Sequence, residues 1–119
     1  MSNSLKEGLL SEEFINSFEQ IALKHHKMMV EKGFWDKERN DGETIALIHS
    51  ELSEALEALR HGNQPDDKIP DFTGLEAELA DVLLRIMDFA AGKNLRVAEA
   101  LVAKMKHNAT RERKHGKEF

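Results

Sequence analysis

Four acidic residues stand in two pairs of matching spacing: Glu51-x-x-Glu54 in HSELSEALEALRHG, and Glu78-x-x-Asp81 in GLEAELADVLLRIMDFAAG. Residues three apart on a helix project from one face, so two such helices side by side can bring four carboxylates toward one point. Donor sets made only of oxygen suit a hard cation, Mg2+ or Mn2+, better than zinc. On a helical wheel, Ala55, Ile48, Leu59, Leu52, Ile45 and Leu56 spread over one side of Glu51, and Leu47 and Ala58 lie just across from it. Glu54 falls roughly 60° further round, beside Leu47. A carboxylate at the edge of an apolar stripe carries a desolvation cost that some partner must offset. Glu43 and Glu57 lie further out and read as solvated charges.

The alternative partners are cationic side chains. Arg60, Arg85 or the basic tail would serve, with Arg85 placed to pair with Asp81 four residues before it and Asp88 placed to pair with Arg85. For one acidic pair, salt bridges are the simpler explanation. For two pairs on neighbouring, apolar-sided helices, a shared divalent cation is the more economical one.

The elements that must position these acids are helical. Tyr is absent, runs of β-branched residues are missing, and the two prolines, Pro65 and Pro70, sit in one segment, as an all-α chain requires. Ser11, followed by Glu12 and Glu13, predicts the start of a first helix that runs to Gly33 with Phe14, Phe18, Ile21, Ala22 and Met29 on its apolar face. KGFWDKERNDG is then a loop. A second helix starts near Asp41 and ends at Gly62. After the loop GNQPDDKIPDF, Thr73 and Glu76 form a capping box for a third helix, closed by Gly92. A fourth starts near Arg96. The third helix is apolar almost all round, through Leu75, Leu79, Val82, Leu83, Leu84, Ile86, Met87 and Phe89, and so belongs at the centre of a bundle of four to five helices.

Bulk composition narrows the class. The 119 residues, 40% hydrophobic and 33% charged, suit one globular domain over 1–119. Cysteine is absent, which excludes disulfides and thiolate metal sites. The stretch MSNSLKEGLLSEEF has no secretory pattern and no apolar run is long enough for a membrane span, so a cytoplasmic protein without a membrane partner is expected. The net charge of −5 is uneven: residues 1–103 carry 11 Lys/Arg against 20 Asp/Glu, and residues 104–119 carry 6 against 2. A basic tail on an acidic body fits nucleic acid, or phosphates that the body holds through a metal.

Four ordered blocks together resemble the MazG-like nucleoside triphosphate pyrophosphohydrolases of the all-α NTP pyrophosphatase superfamily. They are the loop KGFWD, the segment ALIHSELSEALEALRHG, the segment ELADVLLRIMDFA, and KMKHNATRERKHGKEF at the end, together spanning roughly residues 25–119. The resemblance implies a Mg2+-dependent enzyme, with Mn2+ as a substitute, that cleaves an NTP or dNTP between the α and β phosphates. Glu51, Glu54, Glu78 and Asp81 fall on the family's metal-ligand positions. Lys104, Asn108 and Arg111 match its K-x-x-x-N-x-x-R pattern, which meets the triphosphate from one helical face. The family's first motif often has an acid directly before the first ligand; Ser50 stands there in this chain. A homodimer or dimer of dimers is also implied.

The charges are consistent with this reading, because a triphosphate needs metal ions and Lys or Arg to enter an acidic pocket. A carboxylate beside the metal orients or deprotonates water. Glu54, furthest from the apolar side, is the first candidate for that role and Glu51 the second. Trp35 is a candidate for base stacking or a loop anchor packed on the bundle. His25 and His26 could meet a base or sugar, or simply pack. Glu112 and His115 form a single ExxH, where a di-iron site needs two. The competing functions are a non-enzymatic interaction module built on salt bridges, nucleic-acid binding through residues 104–117, and a related hydrolase acting on another nucleotide such as phosphoribosyl-ATP.

Overall fold

The computed structural model describes residues 2–111. Glu112 and His115, with the rest of the tail after Arg111, lie outside them. The chain forms four helices, α1 (Asn3–Glu31), α2 (Asp41–Arg60), α3 (Gly74–Lys93) and α4 (Val97–Ala109), with no strand among the described residues. As its apolar circumference requires, α3 is central: it packs on both α1 and α2, while α4 lies against α1. No described helix is long and apolar enough to cross a membrane.

The first helix begins earlier than its sequence signals indicate. Ser2, not Ser11, is the N-cap, its Oγ accepting from the Leu5 N–H at 3.2 Å. Between them, SLKEGLL contains good helix formers and only one weak residue, Gly8, so nothing stops the helix from extending backward. Side chains 2–10 are all exposed on this overhang. Phe18 and Ala22 enter the core, but Ile21 stays 52% exposed, so the buried stripe is narrower than the apolar pattern of α1.

Two helix ends share one device. Gly33 (φ +88°) follows α1 and Gly62 (φ +83°) follows α2. In each case the next residue reaches back five positions, Phe34 N–H to the Met29 carbonyl at 3.1 Å and Asn63 N–H to the Ala58 carbonyl at 2.7 Å. This left-handed cap needs the conformational freedom of glycine. The connection to α3 is equally tied down. Asn63 Oδ1 accepts from Leu75 N–H at 2.9 Å, and Gly74 N–H donates to the Gln64 carbonyl at 2.8 Å. The expected capping box of Thr73 and Glu76 is present. A Cβ on Gly74 would lie 3.1 Å from Ala58 Cβ, so the helices approach closely there. One turn further along, they carry Glu54 and Glu78.

Gly92 does not close α3, which runs on to Lys93 and ends at Asn94 in the left-handed conformation (φ +56°). Its role is space. A Cβ on Gly92 would collide with Trp35 Cη2, lie 2.6 Å from Trp35 Cζ2 and 2.9 Å from His26 Cε1. Alanine is favoured over glycine inside a helix by about 1 kcal/mol, yet a rigid indole cannot yield that space. Gly92→Ala is therefore expected to lower stability by about 2–3 kcal/mol through overpacking. Urea denaturation followed by the fluorescence of Trp35, the single Trp, measures this; a variant as stable as wild type would disprove the packing.

Candidate metal centre and the adjoining cavity

Glu51 and Glu54 of α2 meet Glu78 of α3, one carboxylate oxygen from each lying within 4.8 Å of the others. Three of the four expected acids thus converge. Asp81 is exposed and outside this triad. It stands one turn beyond Glu78 on a side chain one methylene shorter, yet near enough to Glu51 to feel its charge.

The triad is electrostatically unsatisfied. Glu78 Oε2 is buried and has no hydrogen-bond partner. Two ionised carboxylates offer each other no donor, so Glu78 and Glu54 bond only when one of them holds a proton. Burial first, then that bond and the charges of Glu54, Asp81 and Glu51, push the Glu78 carboxyl up to about 7. Asp81 is also raised, chiefly by partial desolvation of a carboxyl that is otherwise exposed, then by the charge of Glu51, with Arg85 opposing. Such mutual repulsion is relieved by one proton or by one cation.

Glu51 has a partial remedy. Arg85 Nε donates to Glu51 Oε1 at 2.7 Å across the two helices. The expected pairing of Arg85 with Asp81 and Asp88 along α3 gives way to this interhelical contact. Arg60 turns instead to Glu57, with Nη1 to Oε1 at 2.8 Å, and both are exposed. Glu43 is likewise exposed, tied only to the N-cap Asn40.

Asp88 is already committed elsewhere. Its Oδ1 lies 2.8 Å from His26 Nδ1, and the Trp35 indole N–H donates to both carboxylate oxygens at 3.0 and 3.2 Å. The His26 and Trp35 rings meet edge to face, with centroids 4.7 Å apart at 86°. Trp35 therefore anchors the 32–40 loop to α3, and His26 ties α1 to the same carboxylate. This hub was missed in the sequence, although Gly92, one turn after Asp88, was its available signal.

Above the hub lies a cavity of about 310 Å³, lined among others by His25, Phe34, Trp35, Arg85, Asp88 and Lys93. The triad does not line it; Arg85 is the residue the two places share. Lys104, Asn108 and Arg111 are exposed, and no hydrogen bond or ion pair links them to the acids among the described residues. Nor do all three share one helical face. The helix ends at Ala109, where Thr110 Oγ1 donates to the His107 carbonyl at 2.7 Å, and Arg111 lies past that end.

Compared with profiles of known protein families, with curated proteins and with solved structures, the chain matches none.

Proposed function

We propose that the chain is a Mg2+-dependent nucleoside triphosphate pyrophosphohydrolase, with Glu51, Glu54 and Glu78, joined by Asp81, as the residues that would hold the cation. The observation that carries this reading is Glu78 Oε2, a buried carboxylate oxygen without a partner beside two further carboxylates. An all-oxygen, all-anionic donor set fits Mg2+ or Mn2+. The Arg85–Glu51 pair favours a purely structural salt-bridge network, but it leaves Glu78 and Glu54 facing each other uncompensated.

A bound Mg2+ or Mn2+ would supply positive charge to the phosphate oxygens and make water more acidic. The chain's own contributions follow from position. Glu54, the exposed member of the triad, orients the attacking water and takes its proton. Glu51 and Glu78 have their places fixed by the close α2–α3 contact. Lys104, Asn108 and Arg111 offer exposed donors for the remaining phosphate charge. Water adds across the α–β anhydride, giving a nucleoside monophosphate and pyrophosphate. The cavity lined by Trp35 and Arg85 would take the base and sugar.

The same reading includes a homodimer or dimer of dimers. Among the described residues, five of the seven buried core residues are alanine, and no large side chain is fully buried. Meanwhile Ile45, Leu52, Leu56 and Leu59 on α2 and Leu79 and Leu83 on α3 are each 43–55% exposed. A core this thin stabilises a chain weakly, and a second copy would bury those side chains.

Pyrophosphate release from a panel of canonical and modified NTPs and dNTPs tests the function. Release is expected with Mg2+, none with EDTA, and little from Glu54→Gln. No release from any nucleotide by the wild-type protein would refute it.

A further inference from the structure

Arg85 borders two places, the acidic triad and the adjoining cavity. Its side chain is 39% exposed, while that of its partner Glu51 is 12% exposed. Its Nε holds Glu51 Oε1 at 2.7 Å, and the residue also lines the cavity beside Trp35 and Lys93. Glu51 is thus both the partner of Arg85 and one of the three acids in the triad. A cation on the triad and a guanidinium on the same carboxylate repel one another and compete for its charge.

Arg85 has few other places to go. Asp88, one turn along α3, is occupied by His26 and Trp35. Asp81, one turn back, lies in the field of Arg85 but belongs to the same acidic set. Lys93, which also lines the cavity, has its Nζ 3.8 Å from Asp41 Oδ1. A guanidinium displaced from Glu51 therefore meets the cavity, and its planar fork is the side chain best matched to phosphate oxygens.

We propose that Arg85 is a cation-released phosphate-binding residue: it neutralises Glu51 until a divalent cation occupies the triad, then turns to a phosphate group of a ligand in the adjoining cavity. The proposal rests on the triad being a cation site. Cation and anion binding are then coupled through one side chain, each strengthening the other. The cation-free protein also holds this phosphate-binding side chain out of use, so it does not retain nucleotide unproductively.

Calorimetric titration of the full chain separates this from the reading beneath it. With Mn2+ alone, Arg85→Met loses the competing charge and is expected to bind at least about fivefold tighter than wild type. Loss of a merely structural contact would instead weaken binding. Arg85→Lys, which retains the charge without the Nε contact, is expected to shift in the same direction by less, and it stands in should the Met variant not fold. With inorganic pyrophosphate in EDTA, Glu51→Gln frees Arg85 without metal and should bind at least about fivefold tighter than wild type. Adding Arg85→Met to Glu51→Gln should abolish that gain. Mn2+ binding that both Arg85 variants leave equal or weaker, in folded protein, overturns the role of Arg85 alone. Absence of Mn2+ binding from wild type and both variants overturns the cation site, and this proposal with it.

Discussion

Glu78→Gln is expected to lose at least about a hundredfold in cation-dependent pyrophosphate release while melting higher than wild type in the absence of cation. The two effects share one cause. In wild type, Glu78 places a buried, unpartnered carboxylate oxygen next to the carboxylates of Glu51 and Glu54. That arrangement destabilises the empty fold and favours any cation that enters. Glutamine keeps the shape, removes one negative charge and places a donor where Glu54 can accept it. The fold gains what the site loses. Activity assays and thermal melts in EDTA check the pair of effects. A variant that is both inactive and less stable would mean that Glu78 is a structural residue.

The second large effect is on stability against pH. An unfolded Glu ionises near 4.5, but in the folded chain the Glu78 carboxyl is pushed up to about 7, first by burial. Between those values the folded state holds a proton that the unfolded state has released. Stability of the cation-free protein must therefore fall as pH rises through that window, and level off above about 7. A shift of that size corresponds to about 3 kcal/mol, which the partial solvent exposure of Glu78 reduces to on the order of 2 kcal/mol. Asp81, also raised by partial desolvation and Glu51, acts in the same direction. Glu76, lowered by its hydrogen bonds to Thr73, has the opposite sign, and its contribution is lost only as pH falls below the ordinary carboxylate range. Urea denaturation at pH 5 and pH 8 reads the slope. It should flatten in Glu78→Gln, and Mg2+ at ten times its Kd should restore about 1.4 kcal/mol at pH 8. Identical slopes in wild type and variant would contradict the origin assigned to Glu78.

How much of this was legible in the sequence differs from element to element. The capping box at Thr73 and Glu76, the glycine ends at Gly33 and Gly62, and the central place of α3 are local signals, and local signals read well. Ser11 misled because a good N-cap residue can also sit inside a helix when the residues before it are helix formers. Gly92 misled because glycine marks helix ends and close approaches alike, and only the distant Trp35 decides between them. The E-x-x-E and E-x-x-D spacings indicated that acids would converge. They did not fix which three would meet, since that depends on the register set by Gly74 against Ala58. Arg85 had acidic neighbours along its own helix, but the pairing it makes is with Glu51, thirty-four residues away. Nothing short of the α2–α3 register reveals that contact.

The most direct measurement is a calorimetric titration of Mn2+ into the cation-free wild-type chain at pH 8, beside Glu78→Gln. If Glu51, Glu54 and Glu78 form a divalent-cation centre, wild type binds Mn2+ saturably, Mg2+ competes for the same site, and the variant binds at least about tenfold more weakly. Equal binding by the two proteins, or none by wild type, would show that the triad is an acidic cluster held together by protons and Arg85 alone.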